Sequence, residues 1–101
     1  MIRLNIEKVA TTYSIELPKH LHSRYRAYWT EFANEDFDLP EILEQIDGVD
    51  SADYLYSIQL TVSEDVQDMD ELWDCVNTAI ANYLFVARKR LEQRGIEYDR
   101  G

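Results

Sequence analysis

Along residues 2–17 apolar and polar positions alternate, but the phase flips partway. Ile2, Leu4 and Ile6 occupy even positions, whereas Val9, Thr11, Tyr13, Ile15 and Leu17 occupy odd ones, the period of a strand. The flip demands a bulge or a turn between Ile6 and Val9. β-Branched Val9, Thr11 and Thr12, with no glycine, argue against a tight primed hairpin. Two short strands joined by a looser connection are therefore expected. Pro18 ends this segment and suits the first turn of a helix. From Lys19 to about Asn34 the spacing is helical, with Leu21, Tyr25, Tyr28, Trp29 and Phe32 on one stripe.

A polar connector, Asn34–Asp38, follows. Asp38 and Glu41 have capping-box spacing and Pro40 lies in the first turn. A short helix is expected to present Leu39, Ile42, Leu43 and Ile46 inward and to end at Gly48. Residues 53–63 read as one strand, with Tyr54, Tyr56, Ile58, Leu60 and Val62 on one face and Ser57, Gln59 and Thr61 on the other. Such alternation implies one buried face and one wet face. Asp68 and Glu71 repeat the capping-box spacing. An apolar stripe then runs through Met69, Leu72, Trp73, Val76, Ile80, Tyr83, Leu84, Ala87 and Leu91 to a stop at Gly95. This helix outruns a small sheet, so its basic end is expected to project beyond the core or to pair with another chain. The pattern β(β)-α-α-β-α predicts one α+β domain over residues 1–101. It comprises a small antiparallel sheet of about three strands with helices packed on one face and a long C-terminal helix.

Composition adds little until charge is considered. The 101 residues suffice for one core, and an apolar content of 46% suffices to fold it. The single Cys75 excludes an internal disulfide and a cysteine metal cage. With no leader-like opening and no membrane-length apolar run, a soluble, cytoplasmic protein is expected. Charge is another matter. Every Lys, Arg and His lies outside the window from Ala27 to Ala87, and that window holds fifteen of the twenty acids behind the net charge of -10. Interspersed charges would keep a domain soluble equally well, so the segregation points to an acidic surface that meets something positive. In the 19–34 helix Arg24 and Arg26 come early, while Glu31, Glu35 and Asp36 come late. That order opposes the helix dipole.

Four explanations compete for the acidic block. Adaptation to high salt would spread acids over the whole surface instead of leaving basic ends. Plain solvation, with helix caps, accounts for Asp38, Glu41, Asp68 and Glu71. Acids in rows can imitate nucleic-acid phosphates, which a duplex presents at one per ~1.7 Å of axis. Metal binding and self-association of the acidic middle with basic ends complete the set. Glu41, Glu44, Asp47, Asp50 and Asp53 form a first candidate contact cluster; Asp65, Asp68, Asp70 and Asp74 form a second, beside Glu71.

Other chemistry finds no support. Asp65–Glu71 lacks the ligand spacing and central glycine of an EF-hand loop. His20 and His22 diverge on a helix, so a shared metal is not expected. Cys75, among acids, reads as filler beside the core. No Asp/Glu pair stands out as acid and base, and Gly48, Gly95 and Gly101 form no phosphate loop. Neither enzyme activity nor a cofactor or metal is expected.

The stretch Leu43-Glu-Gln-Ile-Asp-Gly-Val49, the strand ending Gln59-Leu-Thr-Val62, and Glu71-Leu72 opening a helix together resemble the N-terminal domain of Nfu-type iron–sulfur scaffold proteins. Ferredoxin-like domains share this cadence. The resemblance covers about residues 39–85 and implies an accessory or scaffold domain, without cluster chemistry because the Cys-x-x-Cys is absent. The leading expectation is instead a non-enzymatic inhibitor of the phage anti-defence kind, such as anti-CRISPR proteins. It would mimic phosphates and block a basic, nucleic-acid-binding protein without itself touching nucleic acid or membrane; a homodimer is compatible. The alternative, docking by apolar contact, requires an exposed Tyr/Trp patch on the 19–34 helix.

Overall fold

The phase flip near the N-terminus is a hairpin. In the computed structural model, which describes residues 5–9, 12–32, 35, 37–54 and 57–95, β1 (Asn5–Val9) pairs antiparallel with β2 (Thr12–Glu16). Ile6 lies opposite Ile15, and Lys8 opposite Tyr13. Each pair joins an even residue to an odd one, so the apolar phase must change at the turn. Val9 pairs with Thr12, which leaves two connecting residues and not the looser link expected.

The second hairpin hides in the sequence for the opposite reason. β3 (Val49–Tyr54) and β4 (Ile58–Val62) are separate antiparallel strands, where the alternation suggested one. Their pairs, Tyr54 with Ile58 and Ala52 with Leu60, join even to even. The phase therefore runs through the turn unbroken, and the sheet has four strands. A register shift between Val49 and Ser51 marks a bulge that turns Asp50 outward. Ile2, Leu4, Thr11 and Tyr56, assigned above to strands, lie outside the described residues, as do Asn34 and Asp36.

The sheet order is β1-β2-β4-β3. Each half is a hairpin followed by a helix, and the halves meet antiparallel through β2 and β4. The helices are α1 (Lys19–Glu31), α2 (Leu39–Glu44) and α3 (Met69–Gln93). They cover the sheet face that carries Ile15, Ile58, Leu60 and Val62, all buried. The opposite face is polar, with Ser14 Oγ donating to Gln59 Oε1 at 3.1 Å and Gln59 Nε2 to Ser57 Oγ at 2.8 Å. No helix among the described residues is long and apolar enough to cross a membrane.

The far end of α3 does not project. Leu91 is buried, and Phe32, Glu35 and Phe37 pack against this end of the helix. Phe37 stacks on Tyr83 at 4.6 Å and meets Phe32 edge-on at 5.1 Å, with the Arg90 guanidinium 4.1 Å above its ring. Arg94 lies over Phe32 and forms a bidentate pair with Glu35, at 2.6 and 3.1 Å. The late acid of the 19–34 segment thus has an intramolecular partner, and that hydrogen-bonded guanidinium holds the Glu35 carboxyl below its ordinary range.

Gly48 closes the turn from α2 into β3 at φ +99°, a region that side chains avoid. A Cβ there would lie 2.6 Å from Val66 Cγ2, and the Gly48 carbonyl accepts from Ser63 N at 2.8 Å. Gly95, at φ +76°, has nothing within 4 Å of such a Cβ. Gly48→Ala is expected to cost about 2 kcal/mol or more and Gly95→Ala about 1 kcal/mol, as read by denaturant unfolding. Equal costs would show that the contact with Val66 does not constrain the turn.

Candidate acidic groove

The turn at Gly48 brings two distant stretches of chain side by side. Residues 44–50 form one wall of an open groove of about 820 Å³; residues 63–68 and the first turns of α3 form the other. Six carboxylates line it, Glu44, Asp47 and Asp50 from the first wall and Asp65, Asp68 and Glu71 from the second. Among the described residues no Lys, Arg or His lines it. The buried Val49 and Leu72 sit between the walls.

Two of these acids also serve the fold. Asp68 caps α3, its carboxylate accepting from Glu71 N at 3.1 Å. Glu44 Oε1 accepts from Ala52 N at 3.1 Å and so occupies a donor on the outer edge of β3. Asp47, Asp50 and Asp65 are exposed.

Of the nine acids singled out in the sequence, Glu44, Asp47, Asp50, Asp65 and Asp68 come together in the groove. Glu41 and Asp53 do not line the groove; with Glu44 they act on the Asp38 carboxyl. Asp70 and Asp74 are exposed on α3 outside the groove lining. Among the described residues no three His, Cys, Asp or Glu side chains converge as metal ligands. Cys75 is exposed at the groove and is not core filler, because α3 turns its buried stripe through Leu72 and Val76 instead. His20 is exposed, while half-buried His22 places Nε2 3.5 Å from the Tyr54 hydroxyl.

The aromatic stripe of α1 is mostly core. Tyr25, Tyr28 and Phe32 are buried, and only Trp29, 42% exposed, stands out, its ring 5.5 Å from Tyr54. The patch that docking on α1 requires is reduced to one indole. α2 ends at Glu44, short of Gly48, and the side chain of its cap residue Asp38 makes no capping hydrogen bond. Asp38 Oδ1 is instead buried without a hydrogen-bond partner among the described residues, as is the Tyr25 hydroxyl. Burial pushes the Tyr25 and Tyr83 hydroxyls well above the ordinary phenol range.

No family model matches this chain, and no curated protein or solved structure was found to be similar to it. The Nfu-like cadence gains nothing from these comparisons, and its single strand between Gly48 and α3 is a hairpin.

Burial, then repulsion from Glu41, Asp53 and Glu44, raises the Asp38 carboxyl above its usual value of 3.8. The folded chain therefore holds this proton more firmly than the unfolded chain. The penalty is absent while the group is protonated, below the ordinary value, and grows as pH rises through the raised one. Asp38→Asn is expected to be more stable than the parent at pH 7, with the margin closing as pH falls through the raised value and gone below about 4. Thermal unfolding across that range measures it; a margin independent of pH would contradict the burial of a charged carboxylate.

Proposed function

We propose that this protein is a non-enzymatic binding protein whose acidic groove docks on a cationic protein surface and occupies it in place of nucleic acid. The observation that carries this reading is the convergence of six carboxylates, from two separate stretches of chain, on one groove that no basic side chain lines among the described residues. Helix capping explains Asp68 and edge satisfaction explains Glu44, but neither explains Asp47, Asp50 or Asp65. Like charges gathered on one surface repel, so they oppose folding and reward only an opposite charge from outside. A partner that normally grips phosphates offers rows of Lys and Arg. Binding by such charges is steered over long range and weakened by salt. The inhibitory role, of the anti-defence kind, follows from occupying that surface.

The experiment is retention of host proteins on the immobilised chain, followed by competition. Retained proteins are expected to elute with salt and to be displaced by duplex DNA. Against the purified partner, the charge reversal Asp47→Lys/Asp50→Lys/Asp65→Lys should weaken binding roughly tenfold or more and flatten its salt dependence. Unchanged affinity and salt slope, or a partner indifferent to duplex DNA, would refute the reading.

A further inference from the structure

The outer side of α3, turned away from the sheet, carries a pattern that the fold does not use. From Cys75 to Ala87 no side chain is charged, although Phe85 and Val86 there are 62% and 37% exposed. Glu71, Asp74, Thr78, Ala81, Phe85 and Arg88 recur at alternating steps of three and four and form one seam along this side. All are exposed except Ala81, which is half-buried. The seam is acidic at its start, small in its middle and basic at its end.

That order is complementary to its own reversal. Turned end for end about a point between Ala79 and Ile80, the seam sets Glu71 opposite Arg88 and Thr78 opposite Ala81. On its flank, Asp70 falls opposite Lys89. Phe85 falls opposite Asp74, beside the small Thr78. A parallel arrangement would set acid on acid and base on base. We propose that α3 pairs antiparallel with α3 of a second copy of this chain, across a two-fold axis near Ala79 and Ile80. Symmetry makes each ion pair twice, and the small residues at the crossing let the helices approach closely.

Arg88 and Lys89 contact Glu92 at 3.2 and 3.8 Å within their own helix. Exposed pairs of this kind exchange readily. From Glu71 to Arg88 the seam is roughly 26 Å long at 1.5 Å per residue. One helix pair of that length covers less than the ~1,600 Å² of a standard interface, and two chains of charge -10 repel. The dimer is therefore a weak one, with a dissociation constant on the order of 100 µM. Glu71 alone belongs to both seam and groove, so the dimer displays two grooves at opposite ends.

Sedimentation at low salt, from about 10 µM to about 1 mM, should show the parent chain passing from monomer to dimer. Asp70→Lys/Glu71→Lys and Arg88→Glu/Lys89→Glu should each be monomeric, because like charges then meet. Mixed one to one, they should dimerise again, because the lysines placed at positions 70 and 71 of one chain then face the glutamates placed at positions 88 and 89 of the other, and basic ends meet acidic ones. A parent chain that stays monomeric, a mixture that does not recover, or a variant that dimerises as the parent does would each overturn the proposal. Phe85→Glu, at an exposed position that spares the helix ends, supplies a test should a charge variant misfold. It must abolish the dimer, and a dimer that survives it refutes the seam.

Discussion

At Gly48 the backbone adopts a conformation reserved for glycine, and Val66 fills the space that a side chain would need. The same residue accepts a hydrogen bond from Ser63 N, so the turn after α2 is tied to the connection after β4. The acidic groove is built on that tie and on the β3–β4 pairing beside it, which sets Val49 opposite Val62. Apart, residues 44–50 and 63–71 would be two ordinary polar stretches, each with a local excuse for its acids. Together they set six carboxylates around one volume of water. A backbone constraint thus becomes an electrostatic one.

The fold tolerates this concentration of charge by distributing what it can. Asp68 caps α3, and the acidic first turn of that helix with Arg90 in its last turn follows the dipole. Glu44 covers a free edge donor, and Glu35 is matched by Arg94 at the far end of the molecule. Arg90 and Arg94 serve that end and Arg88 and Lys89 the outside of α3, and none of them lines the groove. Asp38 is the exception within the fold. Its buried carboxylate caps nothing and faces Glu41, Asp53 and Glu44.

Local pattern revealed local structure and little else. The stripes of α1 and α3 were legible because burial repeats every three or four residues, and Tyr25, Tyr28, Leu72, Val76 and Ile80 are buried as that spacing requires. The β3–β4 turn was not legible. A hairpin that pairs even residues with even ones leaves the alternation intact, and residues 53–63 look like one strand. The β1–β2 turn announced itself by the opposite parity. The groove was half legible, since both acidic stretches stand out in the sequence, but their adjacency rests on the β3–β4 hairpin, which the unbroken alternation hides. Glu35 with Arg94 is hidden because no spacing encodes a contact between residues so far apart. Trp29 kept its place on the stripe yet is largely exposed, because stripe position does not say how far the neighbouring element extends.

The central claim is that the two acidic walls oppose each other across one groove. A double-mutant cycle on stability tests it directly, with Asp47→Asn/Asp50→Asn neutralising one wall and Asp65→Asn/Glu71→Gln the other. At low salt, neutralising the second wall should stabilise the fold less once the first is neutral, whatever Glu71→Gln costs at the helix dipole. The coupling should be of order 1 kcal/mol and should vanish at about 1 M salt. Strict additivity at low salt would mean that the walls do not sense each other, and would contradict the account.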